Sequence, residues 1–237
     1  MTATLASVAV LTLAAALLGF ALDQQWLLPL LEMLPAWVFM VAMLRRGRRT
    51  MAIGVMVWWA LCLALATVTL TQFWHQRAEA VIFNGAAYRD EMQSWLLSGV
   101  GQESTPSQFI PQHLRHTVLF CLVGLISAGF LSVLMGAVLM NYMSFYVGDL
   151  ILRCQGSPSH ALALTLAWNP WSIVRVVSFI ILGVVLAEPL LCRFSGHWPT
   201  AGRGRWLLAA AGGLLLDILL KTLLAPHWPG LLGGCLG

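Results

Sequence analysis

The chain has 237 residues, of which 59% are hydrophobic and only 9% charged, and its mean hydropathy is +0.83. A soluble domain carries about 25% charged residues, so this composition excludes one and predicts an integral membrane protein with the lipid bilayer as its first partner. The net charge of +4 comes from 13 basic against 9 acidic residues. The basic residues are scattered between apolar runs, without the basic and aromatic cluster that nucleic acid requires; nucleic acid is not an expected partner.

One crossing of the hydrocarbon layer takes ~20 mostly apolar residues. The expected fold is therefore all-α: one polytopic helical bundle over 1–237, with about six transmembrane helices and one amphipathic helix outside the lipid. The spans read as 4–22, 27–44, 51–73, 117–146, 171–192 and 206–224, with 74–116 as the extramembrane segment. The first run lacks a basic n-region and reads as a retained helix rather than a cleaved signal.

Glu32 lies inside the second run, in Leu30-Leu31-Glu32-Met33-Leu34-Pro35. Between the second and third runs, Arg45-Arg46-Gly47-Arg48-Arg49 is the strongest orientation signal, because basic short loops stay cytoplasmic. This predicts a bacterial inner (plasma) membrane protein with that linker inside. With six spans, Arg193, Arg203 and Arg205 then fall on the outer side, against the rule; an odd number of spans would remove the conflict.

In the segment 74–116, Val81, Gly85, Tyr88, Met92 and Trp95 recur at helical spacing and form one apolar face. This predicts an amphipathic helix that lies on the membrane or caps the bundle. His75 at one end of the segment and His113 and His116 at the other form a weak candidate metal site, because His113 and His116 share a helix face at i, i+3.

Gly124, Ala128, Ser132 and Gly136 are spaced by four along the fourth run. On one helix they form a smooth face for close packing against another span or another subunit. Asn141, Tyr142, Ser144, Tyr146 and Asp149 cluster at the end of this run, expected to be the inner one, and Asp149 is a candidate partner for Arg175. Residues 159–168 are too short to span and read as an interfacial helix; Trp168-Asn169-Pro170-Trp171 restarts the chain, with both tryptophans expected at the lipid–water boundary.

Glu188 precedes Pro189 near the end of the fifth run, and with Glu32 it is expected toward the outer leaflet, where two carboxylates could hold a cation or a proton. In the sixth run Asp217 and Lys221 stand at i, i+4 and are expected to pair with one another. Cys62, Cys121, Cys154, Cys192 and Cys235 form no CxxC pair, which argues against a disulfide scaffold or a zinc site.

No sequence motif of nucleotide binding, metalloprotease or serine hydrolase chemistry occurs, and no cofactor is indicated. The functional expectation is a non-catalytic integral subunit of a larger membrane assembly of the transport or export type, with other membrane subunits as partners. One alternative is a small solute or ion transporter using Glu32, Glu188, Asp217 and Lys221. Another is a membrane-embedded enzyme with an outer-face histidine site.

Overall fold

The apolar runs are all helical, and no strand occurs among the described residues. The computed structural model describes residues 2–157, 160–195 and 202–235. In chain order the helices are α1 (Thr2–Leu22), α2 (Leu27–Arg45), α3 (Arg49–Phe73), α4 (His75–Val81), α5 (Gly85–Ser98), α6 (Pro106–Ile126), α7 (Phe130–Arg153), α8 (His160–Leu166), α9 (Pro170–Ser195), α10 (Arg203–Leu224) and α11 (Trp228–Leu232). Seven segments are long and apolar enough to cross a membrane: α1, α2, α3, α6, α7, α8–α9 and α10–α11.

The additional span comes from 117–146, which is not one helix. The chain turns between α6 and α7, where Ala128 (φ 52°) and Gly129 (φ 80°) occupy the left-handed region. The Gly129 N–H donates to Gly124 O at 3.0 Å, the 6→1 bond of a glycine-terminated helix. The Ser127 hydroxyl then accepts from Leu131 N–H at 3.0 Å and satisfies one free donor of the next helix. Hydropathy is unbroken through this turn, so a sliding window sees one run. At its other end α6 extends back to Pro106, through polar residues that read as loop in the sequence.

This hairpin also reassigns the row of small residues. A Cβ on Gly124 would stand 2.6 Å from the Ser132 hydroxyl, and one on Gly129 would stand 3.0 Å from Ala187 Cβ and Met40 Cε. Gly124 and Ser132 therefore face one another across the hairpin, Ala128 is in the turn, and Gly136 has open space beside it. They do not share one helix face, because a turn between them resets the helical phase.

With seven crossings the loops divide between two ends. At the basic end, Arg49 pairs with Glu188, the Trp58 indole donates to Leu5 O at 2.9 Å, and Trp37 donates to Ala128 O at 3.1 Å. Arg203 donates to Val185 O at the same end. At the opposite end, Arg77 donates to Phe20 O and Ala21 O, and Gln25 to Ala80 O. Asp149 lies there too, beside His75, and so stands on the side of the long 74–105 segment rather than on the opposite one.

The helix pair α4–α5 closes this second end. Val81, Met92, Trp95 and Leu96 are buried, and Trp95 packs with Tyr146, Leu150 and Ile151 of α7. The expected apolar face is thus a cap on the bundle, interrupted near Asn84 (φ 60°). The short helix α8 and the restart at Pro170 occur as expected. Trp171, by contrast, is fully buried, with its ring 5.0 Å from that of Trp228. Beyond α10 the chain continues through a short 3-10 turn (Ala225–His227) into α11, and Leu232 is buried in the same cluster. Here too lies Cys154, buried and disulfide-bonded, whereas Cys62 and Cys121 are free thiols. The spacing of cysteines does not reveal this bond, since only the fold brings distant thiols together.

Candidate functional site

From the turn at 127–129 the helices α6 and α7 diverge, and a cavity of about 150 Å³ opens between α6, α7 and α9, floored by α2 and α3. Its deep part is apolar: Met40, Met56, Trp59, Phe120, Val133 and Val184. The end nearer the α4–α5 cap is polar, with Tyr88, Glu103, His113, Tyr142, Arg175 and Lys221. An apolar cavity of this order holds a benzene-sized group, so it accommodates part of a larger molecule. Gln112 on α6 is exposed, and Gly136, Leu139 and Met143 on α7 are half-buried. The cavity therefore reaches the surface along the α6–α7 cleft, at the level of the apolar segments.

The polar end is built from α5, α6, α7, α9 and α10 and the turn before α6. Arg175 makes a forked contact with Asp217, Nε to Oδ2 at 2.9 Å and Nη2 to Oδ1 at 3.0 Å. Lys221 Nζ meets Glu103 Oε1 at 2.9 Å and lies 4.5 Å from the centre of the Phe109 ring. Asp217 and Lys221, expected to pair with each other, each take a partner from another element instead. The reason is tertiary: α9 and the 99–105 turn bring opposite charges that the low-dielectric interior favours over a solvated i, i+4 contact. His113 Nδ1 lies 3.5 Å from Asp217 Oδ2, while its Nε2 is buried with no partner.

Tyr88 enters from α5, its ring 4.6 Å from that of Tyr142. Burial pushes its phenol well above the ordinary value of 10.0, and the nearby Glu103 carboxylate adds to this. The hydroxyl is therefore a proton donor at any physiological pH.

The other candidates lie elsewhere. Asp149 does not meet Arg175; it accepts from Gln93 at 2.6 Å and Arg153 at 2.7 Å, and stands 2.6 Å from His75 Nε2. That cluster ties α4 and α5 to the end of α7. Glu188 sits at the basic end, where Arg49 Nη2 reaches its Oε2 at 2.7 Å. Glu32 is fully buried within the bundle; one oxygen accepts from Asn141, whose own oxygen accepts from Thr67 at 3.1 Å, and the other has no partner. Glu32 and Glu188 thus occupy different levels and do not form a common cation site.

The three histidines are also apart. His75 is held at Asp149, and His113 lies against Asp217 on the cavity wall, with His116 one turn further along α6. Among the described residues no three His, Cys, Asp or Glu side chains stand together as metal ligands. Tyr88 was legible only on the apolar face of the capping helix and Tyr142 only within the polar cluster at the end of its run, because nothing in the local sequence indicates a cavity. Arg175 was visible as a charge in an apolar run, and its partner was not.

Compared with protein-family models, curated proteins and solved structures, the chain matches none of them.

Proposed function

We propose that the protein binds an amphiphilic molecule inside the membrane, its polar group at the Arg175–Lys221 end of the cavity and its apolar part in the deep half. It would pass this molecule between the bilayer and the capped end of the bundle, a role of the transport type. The observation that carries this reading is the cavity itself: a polar, ion-paired end continuous with an apolar body, open along a cleft that faces lipid. Binding sites of this composition hold a ligand by burial of its apolar part and orient it by a few polar contacts. Membership of a larger transport or export assembly is compatible with this role. Of the small residues read as a face for another span or another subunit, Gly124 and Ser132 meet one another within the α6–α7 hairpin.

In this reading Arg45–Arg49 face the cytoplasm and the capped end faces outward, across a bacterial inner membrane. Seven spans bring Arg193, Arg203 and Arg205 to the same end as Arg45, Arg46, Arg48 and Arg49, which supports the orientation under the positive-inside rule. The disulfide of Cys154 at the opposite end supports it independently, because such bonds persist in oxidising compartments.

The test uses Gly136→Phe. A Cβ at Gly136 meets nothing within 4 Å, so a benzyl group there fills the cavity without distorting the hairpin. Lipid extraction or native mass spectrometry of protein purified in mild detergent should show a co-purifying amphiphile that the variant loses at unchanged thermal stability. An identical lipid complement in both proteins would sink the proposal.

A further inference from the structure

We infer that the polar end of the cavity is a subsite for a phosphate group carried on a lipid. This rests on the amphiphile reading above and adds the chemistry of the head. Several hydrogen-bond donors converge there without a protein acceptor. The Arg175 fork commits Nε and Nη2 to Asp217, and Nη1 has no acceptor among the described residues. The Tyr88 and Tyr142 hydroxyls likewise donate to no described group, although their rings are 4.6 Å apart and both line the cavity. Lys221 carries three N–H bonds and directs one to Glu103 Oε1.

Three of the carboxylate oxygens at this end are already engaged, and the Glu91 carboxyl lies near Glu103 and Lys221. Both oxygens of Asp217 are taken by Arg175, and one oxygen of Glu103 by Lys221. The surplus is therefore of donors, and it comes from α5, α7, α9 and α10, on different sides of one space. A planar carboxylate presents two oxygens in one plane. A phosphate presents its oxygens tetrahedrally and accepts from several directions, which suits donors arriving from four helices.

His113 sharpens the specificity. Asp217 beside Nδ1 favours the proton on that nitrogen, so the buried and unpartnered Nε2 offers a lone pair. It accepts from a P–OH or from a hydroxyl on the head group. The ligand that satisfies every free group is a phosphomonoester or hydroxylated phosphodiester head on an apolar tail. Its tail enters through the α6–α7 cleft, while Glu103 stays on Lys221, which keeps two further N–H bonds for the ligand.

The probes are dioctanoyl phosphatidate, dioctanoylglycerol and inorganic phosphate, each titrated into the full-length protein in detergent and followed by native mass spectrometry and intrinsic tryptophan fluorescence. Phosphatidate should bind about tenfold or more tighter than dioctanoylglycerol, as expected for charge-assisted hydrogen bonds, and inorganic phosphate should bind far more weakly than either. The double variant Tyr88→Phe/Tyr142→Phe keeps the rings and removes the hydroxyls. It should cut phosphatidate affinity by about tenfold and leave dioctanoylglycerol affinity and thermal stability unchanged.

Equal affinity for phosphatidate and dioctanoylglycerol would overturn the phosphate subsite while leaving the amphiphile reading in place. Inorganic phosphate binding as tightly as phosphatidate would overturn the lipid as its carrier. Binding of neither lipid, with Gly136→Phe indistinguishable from the parent, would remove the amphiphile reading itself.

Discussion

Glu91 lies on α5 at the capped end, near both Glu103 and Lys221. Partial burial raises its pKa above the ordinary 4.5, and the Glu103 carboxylate raises it further against the opposing pull of Lys221. A carboxyl with a raised folded-state pKa binds its proton more tightly in the folded protein than in the unfolded chain. Its contribution is favourable at low pH and is lost as pH rises from about the unfolded value through the folded one. Glu91→Gln should therefore raise the thermal midpoint in detergent at pH 7 and leave it nearly unchanged at pH 4. An equal shift at both values would show that the side chain acts through packing rather than charge. The buried pair Arg49–Glu188 belongs to the other end of the molecule and to a different physics. Each partner compensates the desolvation of the other, so the pair acts as a tie between α3 and α9 and not as a free carboxylate for ion binding.

At the scale of the element, the α6–α7 hairpin is the feature on which the cavity depends. Its turn needs a residue without a side chain at 129, for φ is +80° and a Cβ would press on Ala187 and Met40. Gly129→Ala should cost about 1–3 kcal/mol of stability and lower the thermal midpoint, whereas Gly136→Ala, with open space beside it, should leave or slightly raise it. Comparable losses in the two variants would contradict the turn as described. The capping helix was legible in outline: Val81, Gly85, Tyr88, Met92 and Trp95 recur as an apolar face, and that face is turned inward. The hairpin was not, since Ser127-Ala128-Gly129 sits within unbroken hydropathy and contains neither proline nor an Asn-Gly pair. Glycine alone is too common in membrane helices to mark a turn.

For the whole molecule, seven crossings mean that the ends of α1 and of α10–α11 emerge on opposite sides. A reporter that is active only in the cytoplasm should work when fused at the start of α1 and fail when fused after α11. A reporter that requires export should do the reverse. In the denatured protein from the same preparations, a maleimide should leave Cys154 unlabelled until a reductant is added. Fusions reporting both ends on one side would refute the seven-span arrangement. The composition and the length of the apolar runs were sufficient for class, helicity and location, because the cost of an unpaired backbone group in hydrocarbon leaves little choice besides helices for segments this long. Charged residues inside those runs, such as Glu32, Arg175, Asp217 and Lys221, were equally conspicuous, as were the arginines between them. Which charge meets which was not. Asp217 has a suitable neighbour one turn away in Lys221 and yet bonds Arg175, and Lys221 reaches Glu103 across a loop. Partner choice depends on distances between helices far apart in sequence, and so does the empty volume between α6, α7 and α9. Periodicity along the chain describes one face of one helix; pairing and cavities arise only when several faces are brought together.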